Sequence, residues 1–150
     1  MTDGEVLAFL GEQRTIICAS IGQDGWPHLA PLWYVLRRDI NGGTVWAWTY
    51  ASSQKVRNLE RDPRASIQAE SGESYEQLRG VLLRTTVTLH RDHDHVAALG
   101  TEIFERYYRV LTAEVLAMVR KQAAKRVGLE FVPAGPASSW DHRKLATGVY

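Results

Sequence analysis

The residues best suited to chemistry follow Tyr50. Ser52-Ser53-Gln54-Lys55-Val56-Arg57 reads as the start of a helix, and it is cationic. A helix macrodipole places roughly half a positive charge at the N-terminus, so Asp and Glu are favoured there. Asp92 and Asp94 open a later helix in that way, whereas Lys55 and Arg57 oppose the rule. Free backbone N–H groups, serine hydroxyls and an ammonium together make a phosphate site. An anion at this turn would account for the reversal; the alternative is that both cations point into solvent. The preceding segment carries Trp46, Trp48 and Tyr50, spaced by two and so on one face of a strand. An aromatic face running into an anion-binding turn suits a ligand with a planar ring system and a phosphate. The stripe also fits a core or a subunit interface.

Other clusters carry less. His90, His93 and His95 with Asp92 and Asp94 have metal-ligating chemistry but no recognised ligand spacing, and read as a solvated strand-to-helix junction. No metal is expected. Cys18 lies among Ile16, Ile17 and Ile21 and reads as a buried, inert thiol. The basic run Lys121 to Arg126 reads as a solvated helix face. There is no GxSxG and no GxGxxG, which argues against a hydrolase elbow and a Rossmann dinucleotide site. No residue is assigned a catalytic role.

The elements that must position these residues follow from periodicity. Val6, Phe9 and Leu10 predict a helix over 3–12, capped by Thr2 or Asp3. Thr15 to Ile21 is a strand, and Gln23-Asp24-Gly25 a turn. A second strand is expected from His28 to about Arg37, at an edge near its start because Pro27 and Pro31 lack an N–H. Asn41-Gly42-Gly43 turns the chain into a strand over Thr44–Tyr50. A short helix from Ser53 to about Arg61 is ended by Pro63. Strands follow at 64–70 and 79–91, then helices near 96–107 and 113–125, and a strand at 127–132. Residues 138–150 are expected to form an extended tail. Hairpin-linked strands predict an antiparallel sheet or barrel with helices beside it, not a βαβ alternation.

Composition sets the frame. The chain has 150 residues, with 18 Lys and Arg against 17 Asp and Glu, a net charge of +1. That length suits one domain, 1–150, which buries roughly 68–70% of the surface of its unfolded form. Near-neutrality argues against a dedicated nucleic-acid binder. A single cysteine excludes an internal disulfide framework. No apolar run approaches the roughly 18 residues of a membrane span, and the acidic N-terminus is unlike a signal peptide. A cytoplasmic location is expected. Five tryptophans are the compositional oddity, three of them between Trp33 and Trp48.

The ordered segments DGWPHLAPLWY, VWAWTYASSQKVRNLERDPRASI, LRGV and SSWDHRKL resemble the split β-barrel flavin and deazaflavin oxidoreductases, the superfamily that includes pyridoxine 5′-phosphate oxidase. The likeness runs from about Phe9 to Leu145. It implies a mainly β protein with flanking helices. The fold would be a six-stranded antiparallel split barrel that forms a homodimer with cofactors in grooves at the interface. By this resemblance Ser52, Ser53, Lys55, Arg57 and Asn58 would lie along the cofactor phosphate. Thr49 and Tyr50 would line the adjacent ribityl and ring region, with Trp48 in the aromatic wall. Pro31, Leu32 and Trp33 would approach the ring edge. Trp140 and His142 would reach the site of the partner subunit.

The SWDHRK-like tail is most similar to the branch that binds coenzyme F420, with FMN as the alternative cofactor. F420 carries a phosphodiester and an oligoglutamate tail, for which Arg57, Arg61 and Arg64 could supply a cationic strip. The implied activity is hydride transfer from the reduced cofactor to an electron-poor small molecule, with any proton coming from water or Tyr50. An FMN-dependent oxidoreductase and a non-catalytic flavin, deazaflavin or tetrapyrrole carrier are the other readings.

Overall fold

Alternating apolar residues form eight strands in the computed structural model, which describes residues 1–39 and 42–147. The order is α1 (Asp3–Glu12), β1 (Ile16–Ile21), β2 (Pro27–Leu32), β3 (Val35–Asp39), β4 (Gly42–Tyr50), α2 (Gln54–Arg61), β5 (Arg64–Ser71), β6 (Arg79–His90), α3 (His93–Tyr108), α4 (Ala113–Ala123), β7 (Arg126–Pro133) and β8 (Ser138–Asp141). Short 3-10 helices cover Tyr75–Gln77 and His142–Thr147. The expected turn at Asn41 and the last three residues of the expected tail lie outside the described residues.

All strand pairs are antiparallel, in the order β2-β1-β5-β6-β7-β4-β3, with β8 added to β6. β2 and β3 stand at the two ends of this path, yet only Trp33 and Tyr34 separate them in sequence. The sheet therefore comes round on itself through one bent segment. Counted as one strand, that segment makes the ring six-stranded, as the resemblance implies. β8 is the addition.

The expectation of one continuous strand from His28 to Arg37 is corrected. The chain must leave β1, where Leu32 pairs with Ile16, and join β4, where Val35 pairs with Trp46. The joint is held by hydrogen bonds. Tyr34, fully buried, donates from its hydroxyl to the carbonyls of Leu10 and Gln13. Its N–H donates to the Tyr107 hydroxyl at 3.1 Å. Its carbonyl accepts from Arg106.

Two cores share β4. Val45 and Ala47 face the barrel interior with Ile16, Ile67, Val81, Leu129 and Phe131. Trp46 and Trp48 face the other way and pack beneath α3 and α4 with Leu99, Ile103 and Val119. Gly100 permits that contact, since a Cβ there would fall 2.3 Å from the Trp48 ring. The helix α2 closes one barrel end with Val56 and Leu59.

The C-terminal segment is extended over β8 and only then departs from expectation, turning into the 3-10 helix of His142–Thr147. Trp140 pairs with Gly80, and its ring lies where a Cβ of residue 80 would sit, 2.0 Å away. Asp141 is buried and takes a bidentate pair from Arg143 at 2.7 and 2.6 Å. Lys144 bonds Glu5 of α1 at 2.8 Å, and the Met1 amino group donates to Ser139 Oγ at 3.0 Å. No described helix is long and apolar enough to cross a membrane.

Candidate functional site

The cationic turn stands at the junction of β4 and α2. Ser53 is the N-cap, its Oγ accepting from the Val56 N–H at 3.4 Å. The first N–H groups of a helix have no intrahelical acceptor. The first turn of α2 holds no acid, unlike α1, α3 and α4. Lys55 is half-buried and donates to Thr49 Oγ1 at 3.1 Å. Burial pushes its ammonium below the ordinary lysine range, with the nearby Cys18 opposing that shift. Burial pushes the Cys18 thiol up to about 11, against the pull of Lys55. Ser52 and Arg57 are exposed, and Arg57 has no partner among the described residues.

The other expected site residues divide. Thr49 is buried beneath Lys55 and Tyr50 is exposed at the end of β4. Trp48 is a correction: α3 and α4 cover its ring, so it is core and not an open wall, as is Trp46. Asn58 has partners within the chain. It is fully buried, donating to Ser20 Oγ at 3.0 Å and accepting from Gln54 and Arg61, so it ties α2 to β1. The expected cationic strip is also thinner. Arg61 donates to the Ile21 carbonyl at 2.7 Å and Arg64 pairs with Asp62 at 2.7 Å, leaving Arg57 of the three.

Pro31 is exposed and Leu32 turns into the barrel. Trp33 stacks on Tyr107 with ring centres 4.3 Å apart and keeps 44% of its surface exposed. Since Val35 pairs with Trp46, the chain at Trp33 leaves the sheet level with Trp48, near the end of β4 that carries Tyr50. Pro31 pairs with Ile17, opposite Gln68 and away from the Arg64 end of β5, while Trp33 and the α2 turn share one end of the barrel.

Trp140 and His142 do not. β5 pairs Arg64 with Thr86 at the α2 end and Glu70 with Gly80 at the other. Six residues separate the two pairs, roughly 20 Å along a strand. His142 packs on Tyr75 there, its Nδ1 2.8 Å from the Tyr75 carbonyl. Within one chain these two residues cannot serve the α2 turn.

Sequence reasoning missed two features. A cleft of about 560 Å³ opens beside α2, lined by Asp24, Trp26, His28, Gln54 and Asn58 among others, and the His28 Nδ1 buried there has no hydrogen-bond partner. Arg126 lies over the rings of Tyr50 and Trp48, 4.2 and 4.6 Å from their centres. Its place in a run of Lys and Arg read as helix surface; the start of β7 at that residue is what brings it to Tyr50. His90 and His95 pack against each other and against Trp46, while His93 turns to α4. His90 Nε2 meets Glu130 at 2.7 Å, His93 Nε2 meets the Arg120 carbonyl at 2.9 Å, and His95 packs on Trp46. No group of three metal-ligating side chains is found among the described residues.

A sheet closed through one bent strand, an end plugged by a helix and a cationic first turn on that helix define a split barrel of the flavin and deazaflavin type. The family model described as pyridoxamine 5′-phosphate oxidase matches residues 2–135, and the chain belongs to that family. Among solved structures, the conserved hypothetical protein Rv2991 from Mycobacterium tuberculosis is 38% identical, with 97% of this chain and 88% of that one covered and a TM-score of 0.88. HutZ, the heme storage protein from Vibrio cholerae, is similar at 16% identity over 90% of this chain and 92% of its own, with a TM-score of 0.69. A protein described as an F420 reductase is similar at 19% identity over 87% and 94%, with a TM-score of 0.66. The last two likenesses speak for the fold alone. No curated protein matches the chain.

Proposed function

We propose that the chain is a single barrel domain that binds a phosphorylated flavin-type cofactor at the α2 turn, coenzyme F420 ahead of FMN. It would use the cofactor to reduce an electron-poor small molecule. The observation that carries the reading is Lys55, a half-buried ammonium held by Thr49 in a helix turn without acids. A buried cation is unfavourable unless an opposite charge meets it, and the partner best placed to do so is an anion at the free N–H groups of α2. The residues present therefore fit the phosphate of such a cofactor.

When bound, the reduced deazaflavin supplies a hydride, and the protein's part is to hold, orient and exclude water. Thr49 fixes the Lys55 ammonium at the turn. Ser53 and the first N–H groups of α2 would add donors to the same phosphate. Trp33, braced by Tyr107, would close the ring edge as a flat apolar wall.

The same reading includes a homodimer. Ile17, Ala19 and Ile21 of β1 share one outer face with their cross-strand partners Pro31, Leu29 and Pro27 of β2. Leu29 is 61% exposed and Ile17 37%, with no layer over them among the described residues. An apolar sheet face of this kind marks an interface, and it adjoins the cleft beside α2 at Pro27. Trp140 and His142, too far to serve their own turn, would serve the partner's. Leu29→Glu is expected to raise the dimer dissociation constant by roughly a hundredfold or more, because each interface would bury unpaired carboxylates. Analytical ultracentrifugation reads it; an unchanged association constant refutes the face.

Side-by-side titration of the purified protein with F420 and FMN tests the cofactor, followed by turnover of reduced F420 with quinones, enones and tetrapyrroles. Tighter F420 binding with acceptor-dependent oxidation is expected. Tighter FMN binding would reverse the cofactor order, and tight binding without any turnover would make the protein a carrier.

A further inference from the structure

Arg126 opens β7 and pairs with Tyr50, the last residue of β4. The backbone beside it is fixed, since the Ala51 N–H donates to the Lys125 carbonyl at 2.9 Å just before the α2 turn. The guanidinium lies over both Tyr50 and Trp48. Its Nε is buried and meets no acceptor, and no carboxylate pairs with it among the described residues. Burial lowers the guanidinium pKa, with Tyr50 opposing that shift. A buried donor left unmatched costs stability, so a guanidinium kept this way next to a ligand turn lacks a partner that the ligand can supply.

The face on which it lies decides which part of the ligand that is. Side chains alternate across a strand. Thr49, to which Lys55 donates, points with Val45 and Ala47 toward the barrel interior. Trp48 and Tyr50, under Arg126, point with Trp46 to the opposite face. Lys55 and Arg126 thus stand on opposite faces of the end of β4.

We propose that Arg126 binds a second anionic group of the ligand, separate from the phosphate at Lys55. The proposal rests on the cofactor reading above and narrows it to a ligand with two spaced anionic groups. A phosphodiester extended by carboxylates has them; a flavin ending in one phosphate does not.

The test compares wild type, Arg126→Gln and Arg126→Lys against three ligands: F420 with its glutamates, the same deazaflavin phosphodiester stripped of glutamates, and FMN. Arg126→Gln is expected to weaken glutamylated F420 about tenfold, the worth of one charge-assisted hydrogen bond, and to leave FMN within twofold. Arg126→Lys, which keeps the charge, is expected to recover most of the loss. Equal weakening of all three ligands would place Arg126 on the phosphate and overturn the proposal, as would no weakening. A second arm follows the Arg126 Nε–H resonance during addition of inorganic phosphate to wild type and to Lys55→Ala. A saturating shift in both proteins supports two anion positions; a shift lost with Lys55, or absent from both, overturns them. Should wild type bind neither cofactor, the cofactor reading falls, while this arm still decides Arg126.

Discussion

Lys55→Ala is expected to weaken binding of the phosphorylated cofactor by 10- to 100-fold while leaving the protein folded. The affinity loss follows from removing a charged donor, about 1.5–3 kcal/mol. The tolerance follows from the same geometry. Among the described residues Lys55 meets no carboxylate and donates to Thr49 Oγ1, and its pKa is lowered by burial. A lysine whose folded pKa lies below its unfolded value destabilises the fold in full below that folded value. The penalty fades as pH rises from the folded to the unfolded pKa. At neutral pH the alanine variant is therefore expected to be no less stable than wild type. The pH profile carries a further signature. Binding should fall on the alkaline side at a pH below that of an ordinary lysine, and this limb should vanish in Lys55→Ala. Fluorescence titration of F420 and FMN across pH, with thermal melts in parallel, decides it. Unchanged affinity for both cofactors would refute the phosphate site.

Arg106→Met is expected to cost about 3 kcal/mol of stability, the sum of lost charge-assisted bonds less what water restores. Arg106 donates to the Tyr34 carbonyl, to the Gly11 carbonyl at 3.1 Å and to the Gln13 carbonyl at 2.6 Å. Its guanidinium lies 4.4 Å from the Tyr34 ring centre. One side chain of α3 thereby ties the end of α1 to the joint that closes the ring. At this chain length the loss corresponds to a Tm lower by roughly 6–12 °C. Cofactor affinity should fall as well, because Trp33 leans on Tyr107, whose hydroxyl bonds the same joint. A melting point within two degrees of wild type, measured alongside urea unfolding, would show that the joint is held by the barrel alone.

Much of this was legible in the sequence because it is local. The reversed charge of the α2 turn needs only Ser53, Lys55 and Arg57 to be seen. Hairpin turns and alternating residues gave the strands of the ring within a residue or two. What escaped depends on distant partners. The bond from Asn58 to Ser20, on a strand much earlier in the chain, is one such contact. Trp48 and Tyr50 share a strand face, yet α3 and α4 cover one and leave the other exposed. The break at Trp33 is set by the need to pair with β1 and β4 in turn, which no window of residues reports. Arg126 was hidden inside a basic run, because only the pairing of β7 with β4 separates it from a helix surface.

The two cores on either side of β4 have a mechanical consequence. A strand packed on both faces behaves as a beam clamped along its length, and it ends at Tyr50, where the α2 turn begins. Residues at Val45 and Ala47 load that beam from the barrel, and Trp46 and Trp48 load it from the helices. The α2 turn therefore hangs from a support packed on both faces. Adaptation to different ligands falls to the unclamped parts around it, the β1–β2 hairpin and the exposed side of Trp33. Change can accumulate there without disturbing the α2 turn that the proposed phosphate would need.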